Sequence, residues 1–357
     1  MTNLHIKPVT SNKTWNNFIS SVAARSFFQS WEWGEVSKLN GQTIDRLGIY
    51  EKDRLVGVFQ ITLVQAKRGN YIMLRHGPVL SSWNSRYLVV LIDFLKKIYK
   101  DNYSFIRISP LIDRVYSTLL KKVGFRLAPV HDNIDAQICY EVNLKPELEV
   151  ILAGMRKNTR GSIKKTASNE NLTIGYEISA KSIKEFSQLY RQTARKKGFV
   201  EWSGIKTEVS EFDKNKAVDL IIVYLNKEPV AGAVINYWGN QGIYHYAAAN
   251  YDGLKTQAQY LVIYEAIKRC KMRGLEYFNF WGGIEDISDV GHPWFGLTVF
   301  KRGFGSKQKV YLQTYDYMLS HGYWKTYLYE QVVEHLRGYK TIGTWRSPTF
   351  LRRLFGV

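Results

Sequence analysis

Apolar positions recur along this chain in two rhythms, and the changes of rhythm mark its elements. Residues 12–24 place Trp15, Phe18, Ile19 and Val22 on one helical face. Two runs of strand character, 46–50 and 55–64, flank a charged turn at 51–54 and read as a hairpin. A short run at 71–74 leads into RHGPVL, which reads as a loop. An amphipathic helix at 85–100, a strand at 104–109, a helix at 112–123 and a strand at 137–142 come next.

The second half repeats this order. A strand at 218–224, a turn at 226–229 and a strand at 230–238 form another hairpin, and VGVFQI (56–61) matches AGAVIN (231–236). The helix at 257–272 corresponds to 85–100, the strand at 278–283 to 105–110, and FKRGFG (300–305) to KKVGFR (121–126). The offsets cluster near about 175 residues, half the chain, which is the mark of an internal duplication. Each copy is an α/β unit, expected to pack as a mixed sheet with helices on both faces. Segments 147–169 and 179–197 and an aromatic helix at 323–338 would join or brace the units, with Gly338 closing a last turn that carries His335 and Arg337.

One stretch stands out, residues 277–313. It reads as a buried strand (277–281), a glycine-rich acidic loop, a short apolar segment ending in Phe300 and Lys301, and a last strand of alternating character. Lys301, Arg302, Lys307 and Lys309 lie within nine residues, while Glu285, Asp286 and Asp289 all fall in the loop before them. The pattern is a flexible loop feeding a cationic, aromatic strand end.

Length and composition narrow the class. A chain of 357 residues, 45% apolar and 23% charged, suits two folded domains. The longest apolar runs, 88–95 with Asp93 and 217–225 with Asp219, fall short of the ~20 residues of a membrane span. The N-terminus has no apolar signal core, so the expected location is cytoplasmic. Cys139 and Cys270 stand far apart on apolar segments and read as buried thiols. A net charge of +19 favours anionic partners, whether nucleic acid, a phosphorylated small molecule or an anionic membrane surface, or reflects a generally basic proteome.

Several chemistries lack their residues. The seven histidines sit in no triad context, and His245, between Tyr244 and Tyr246 in a strand, reads as a packed or surface side chain. No metal-ligand spacing appears and no cofactor is implied. There is no GxxxxGK[ST] or GxGxxG, and AAANYDGLKTQAQ, where a coenzyme A cradle would stand, offers only Gly253. The strongest local signal is MRKNTRGSIKKT (155–166), with five cations and no acid. Helical spacing puts Arg156, Arg160 and Lys164 on one stripe, a face suited to anions. Aromatics alternating in IYHYAAAN and YFNFWGG suit either base stacking or half-buried strands.

QSWEWGEV, RHGPVL, MRKNTRGSIKK, IYHYAAAN, FWGG and GLTVFKRGFGSK occur here in that order, and through them essentially the whole chain resembles the FemABX family. That resemblance implies two tandem acetyltransferase-like (GNAT) domains, in agreement with the duplication, and the shorter type without a coiled-coil arm. It implies transfer of an amino acid from aminoacyl-tRNA to a peptidoglycan precursor, UDP-MurNAc-pentapeptide or lipid II, building the interpeptide bridge. Peripheral contact with the inner membrane face goes with the lipid-linked form. Residues 1–148, completed by a C-terminal helix at 318–357, would bind the precursor, and 149–317 would hold the catalytic site and the tRNA end. The resemblance assigns catalysis to Lys301, which follows Phe300, and substrate contacts to Tyr244, Tyr246, Trp33 and Lys38, to which Asn250 is added; Arg302, Lys307 and Lys309 are left as support for tRNA, and the Arg156, Arg160 and Lys164 stripe is the further candidate for its phosphates. One departure concerns the acceptor: some relatives carry a phosphate-binding arginine after KKGF, where this chain has Val200, Glu201 and Trp202. Two other readings share the residues: an acyl-coenzyme A N-acyltransferase of the same fold, and a non-catalytic RNA-binding protein.

Overall fold

The computed structural model describes residues 4–130 and 134–337. In chain order, β1 (Leu4–Pro8), β2 (Thr43–Glu51), β3 (Arg54–Val64), β4 (Tyr71–His76), β5 (Val79–Leu80), β6 (Phe105–Pro110) and β7 (Arg126–Leu127) belong to one sheet. β8 (Ile138–Asn143), β9 (Leu172–Gly175), β10 (Val218–Leu225), β11 (Glu228–Trp238), β12 (Gln241–Ala249), β13 (Tyr277–Gly282) and β14 (Lys307–Val310) form a second, and β15 (Tyr315–Met318) returns to the first.

The two strand orders, β1-β2-β3-β4-β6-β15-β7 and β9-β10-β11-β12-β13-β8-β14, correspond position for position. So do the pairings. β2/β3 and β10/β11 are antiparallel, as are β3/β4 and β11/β12, whereas β4/β6 and β12/β13 are parallel. The duplication therefore holds element for element, with one exchange. β8 comes after β7 in the chain yet pairs with β13, and β15 comes after β14 yet pairs with β6.

This exchange moves the unit boundaries. The compact units are Met1–Ile138 with Val310–Val357, and Cys139–Lys309, rather than a first unit ending at 148 and a second running to 317. Residues 139–143 are held by the ladder from Tyr277↔Asn143 to Gly282↔Cys139, and residues 315–318 by Tyr315↔Ile108. Ladder bonds bury backbone donors and acceptors that turn residues leave to solvent, so the ladders fix the boundary. The part of the expected 318–357 helix that falls within the described residues runs Tyr323–Arg337, while residues 338–357 lie outside them.

Helix starts obey side-chain caps. Ser11, Ser30 and Asn84 each accept a backbone N–H of the first turn, and Ser179 with Ser182 forms a capping box for Ala180–Lys197. That helix, at 18 residues, is the longest among the described residues, so none is of coiled-coil-arm length. The first unit buries Phe59, Ile72, Leu91 and Ile106 in its core, and the second Ile221, Val262, Phe278 and Phe280. Cys139 and Cys270 are buried thiols outside any disulfide.

Three expectations change. RHGPVL is strand rather than loop: Arg75 and His76 pair with β6, and Val79 and Leu80 with β3. The helix expected at 112–123 is a 3₁₀ turn and then a short helix, Ser117–Lys122. The apolar segment ending in Phe300 and Lys301 is a helix, Phe295–Gly303, so Lys301 sits on a helix and not at a strand end.

Candidate active site

The two copies differ where the parallel strands meet. β4 and β6 stay in register over five residues, Ile72↔Ile106 to His76↔Pro110. β12 and β13 pair only over Gln241↔Tyr277, Gly242↔Phe278 and Ile243↔Asn279, while β12 runs on to Ala249 and β13 to Gly282. The second sheet thus opens at the carboxyl ends of two neighbouring parallel strands, the position where open α/β sheets place ligands.

A bulge on each side shapes this opening. On β12, Tyr244 lies opposite Ile235 and Tyr246 opposite Val234, so His245 is the inserted residue. The insertion sends the two tyrosines to opposite faces. Tyr244 is 6% exposed and packs against Phe278 and Phe280, with burial raising its hydroxyl pKa. Tyr246 instead meets Tyr190 at 5.6 Å, next to His245 at 4.2 Å. The expected tyrosine pair is therefore divided, with Tyr244 a core residue and Tyr246 on the side of the helix Ala180–Lys197. On β13 the register skips between Asn279↔Glu141 and Gly282↔Cys139, and Trp281 takes φ 66°, a strained value for a bulky residue. The Asn279 side chain accepts the Trp281 N–H at 2.8 Å and holds the kink.

Lys301 closes the end of β13. Its Nζ donates to the carbonyl of Gly282, and the residue is 4% exposed. Burial lowers its pKa to about 7, against a smaller upward influence from Cys139. A lysine held near neutrality can carry a proton to a developing anion or accept one. Phe300 turns the other way, packing on Tyr260 and Phe304 at 5.3 Å each, and so anchors the helix. The acidic loop is pinned at its start: Tyr140 donates to the Ile284 carbonyl at 2.9 Å, and Thr298 Oγ1 accepts the Ile284 N–H. Asp286 binds Ser288 within its own turn.

The two cationic segments, far apart in sequence, meet here. The Arg156 N–H donates to the Gly303 carbonyl at 2.9 Å, ahead of the helix Lys157–Ala167. That helix buries Thr159, Ile163 and Thr166, while Arg156, Arg160 and Lys164 are exposed, as are Arg302, Lys307 and Lys309. Arg160 also bonds the carbonyls of Ala153 and Met155, capping the preceding helix. Arg156 thus meets the end of the helix that carries Lys301 and Arg302.

Trp33 and Lys38 belong to the first unit. Trp33 is 6% exposed, packed at a tilt on Phe27 and Phe28 in a cluster that the Arg75 guanidinium covers, and Lys38 is exposed and paired with Glu35 at 3.2 Å. Asn250 caps the short helix Tyr251–Lys255 and lines a cavity of about 490 Å³ with Glu185, Glu228 and Asp252. That lining holds three carboxylates and no lysine or arginine, so it suits an ammonium and not a phosphate.

The FemAB family matches residues 10–203, and an acetyltransferase (GNAT) domain matches residues 153–289. The chain belongs to the FemAB family. A lipid II:glycine glycyltransferase of Staphylococcus epidermidis is 20% identical over 385 residues, 87% of this chain and 92% of its own. One from Staphylococcus haemolyticus is 27% identical over 123 residues, 34% of this chain and 29% of its own. In fold, the chain superposes on a crystal structure of FemX with a TM-score of 0.79 at 17% identity, covering 92% of this chain and all of that one. A tandem GNAT protein from the clavulanic acid biosynthesis pathway gives 0.58 at 9% identity, over 89% and 99%.

In this FemAB chain the stretch that offers only Gly253 for a coenzyme A cradle is helical: Tyr251–Lys255 forms a short helix, and Gln257 at φ 61° precedes Ala258–Met272. Gly253 is a packing glycine, since a Cβ there would lie 2.1 Å from the Val230 carbonyl oxygen. The same FemAB site holds a residue pair that the motifs of the sequence do not reveal. His245 Nδ1 lies 2.7 Å from the Glu208 carboxylate, on the helix Ile205–Asp213. One signal is present: Glu208 interrupts the apolar face formed by Ile205, Val209 and Phe212.

Proposed function

We propose that this protein transfers an amino acid from aminoacyl-tRNA to an amine on the stem peptide of a peptidoglycan precursor, building the interpeptide bridge. The observation that carries the reading is Lys301, a buried, near-neutral amine at the end of β13 beside an opening between parallel strands, in a FemAB chain. The cationic face of Arg156, Arg160, Lys164, Arg302, Lys307 and Lys309 supports a polyanionic donor such as tRNA. The relatives' names support lipid II as the acceptor. No helix among the described residues is long and apolar enough to cross a membrane, which suits an enzyme that meets a lipid-linked acceptor from the cytoplasmic side.

The chemistry asks little of the protein beyond positioning and charge. The acceptor amine adds to the ester carbonyl, negative charge grows on the carbonyl oxygen, and it then passes to the departing ribose oxygen. A positioned cation there contributes on the order of 3 kcal/mol. With a pKa of about 7, the Lys301 ammonium can also give its proton to that alkoxide. The test is incubation of the protein with radiolabelled aminoacyl-tRNAs and either lipid II or UDP-MurNAc-pentapeptide. Label should appear on one acceptor; absence of transfer to both from every aminoacyl-tRNA overturns the reading.

A further inference from the structure

The transfer leaves one proton unassigned, the one the acceptor amine loses as it becomes an amide nitrogen. Neither Lys301, whose charged form serves the leaving oxygen, nor Asp286, bound to Ser288, is placed for it.

The bulge on β12 sets His245 at the opening. Its ring lies 4.2 Å from that of Tyr246 and 5.1 Å from that of Trp281. Trp281 is the strained residue immediately before Gly282, whose carbonyl holds Lys301. The imidazole and the lysine thus bear on consecutive residues at the end of one strand. His245 Nδ1 faces Glu208 Oε1 at 2.7 Å, and Asn236 Nδ2 donates to the same oxygen at 2.6 Å. With Nδ1–H donating a hydrogen bond to the carboxylate, the lone pair of the neutral ring is on Nε2, the form of a general base.

Glu208 is fully buried, and among the described residues the ion pair it makes is with His245. Its Oε2 and the Oδ1 of Asn236 have no hydrogen-bond donor. Glu208 is thus a buried carboxylate that meets His245 and Asn236 through one oxygen, an arrangement that fixes the orientation of the imidazole. A cluster meant only to hold β11, β12 and this helix together would be cheaper with apolar residues in the same volume.

We propose that His245 takes the proton of the acceptor amine and that Glu208 is its positioning residue, an assignment that rests on the aminoacyl-transfer reading above. The amine nitrogen forms the C–N bond to the ester carbonyl carbon while one N–H proton passes to His245 Nε2. The C–O bond to the ribose breaks, and the leaving oxygen takes a proton from the Lys301 ammonium. The products are the amide and the free tRNA hydroxyl, and exchange with solvent resets both side chains.

The experiment compares two acceptors in the transfer assay: lipid II, and lipid II with its acceptor amine replaced by an aminooxy group, which is uncharged at pH 7 and whose nitrogen, once bonded to the carbonyl carbon, loses its proton to water without a protein base. H245Q should lower kcat on the natural acceptor about 100-fold with KM within about twofold, yet stay within about fivefold of wild type on the aminooxy acceptor. E208Q should lose about 10-fold in kcat on the natural acceptor alone, and E208D should recover part of it. Added imidazole should restore turnover to H245A. Equal losses on both acceptors, or H245Q turning over at the wild-type rate, overturn the dyad while leaving the transfer reading in place. A wild-type protein inactive on lipid II, on UDP-MurNAc-pentapeptide and on the aminooxy acceptor overturns the function and the dyad together.

Discussion

At the scale of single residues, Lys301 makes two predictions that oppose each other. Lys301→Met should cut kcat by about 10²–10³, the loss expected when a positioned oxyanion partner is removed. It should not destabilise the fold. A lysine whose folded pKa is lowered from 10.5 to about 7 binds its proton later, as pH falls, in the folded chain than in the unfolded one. Between those values the unfolded chain carries the extra proton, so stability rises with pH through that window and is lowest below it. The span corresponds to at most about 5 kcal/mol. Urea denaturation at pH 6.5 and pH 9 should show wild-type stability climbing, and Lys301→Met should flatten the climb while raising stability at the lower pH. A wild-type protein with no such climb removes the buried-lysine account. Lys301 could be picked from the FKRGFG motif, but its burial could not, because Cys139 on β8 and the Gly282 carbonyl on β13, both beside it, lie more than a hundred residues apart in the chain.

At the scale of elements, period was a reliable guide where it ran long enough. The hairpins β2/β3 and β10/β11 and the helices Ser85–Tyr99 and Ala258–Met272 fall where alternation and helical spacing place them. Short segments failed for a physical reason. Phe295–Gly303 spans too few turns to display a helical period, and RHGPVL carries proline and glycine that mimic a loop while its flanking residues complete two ladders. The bulge that divides Tyr244 from Tyr246 is a mismatch between two strands, and one strand alone cannot reveal it. Gly253 tests the reading of the vanished coenzyme A cradle. Its missing side chain is needed against a backbone carbonyl of β11, which cannot rotate aside. Gly253→Ala should therefore cost about 1–3 kcal/mol in urea denaturation and shift the helix Tyr251–Lys255. Unchanged stability would return Gly253 to a ligand-facing role.

At the scale of the whole molecule, the duplication was legible from the offsets and is repeated strand for strand, whereas the exchange of β8 and β15 left no trace in local sequence. Net charge was equally legible, but +19 spread over a surface and +19 gathered on a binding face look alike in composition. The fold brings Arg156, from a distant segment, to the end of the helix Phe295–Gly303 that carries Arg302. If that face binds tRNA, each cation contacting a phosphate releases counterions and steepens the salt dependence by about 0.7–0.9 in log K against log salt. The triple variant R156A/K164A/R302A should then flatten the slope by about 2 and weaken tRNA binding most at low salt. The control is K96A/K97A/K100A, which removes three exposed cations at the end of Ser85–Tyr99 and lowers net charge by the same amount. Filter binding of labelled tRNA from about 50 to 300 mM salt should leave the control near wild type. Equal flattening in both triples would mean that charge acts through its total and that no tRNA face exists, since diffuse attraction depends on net charge and not on where it sits.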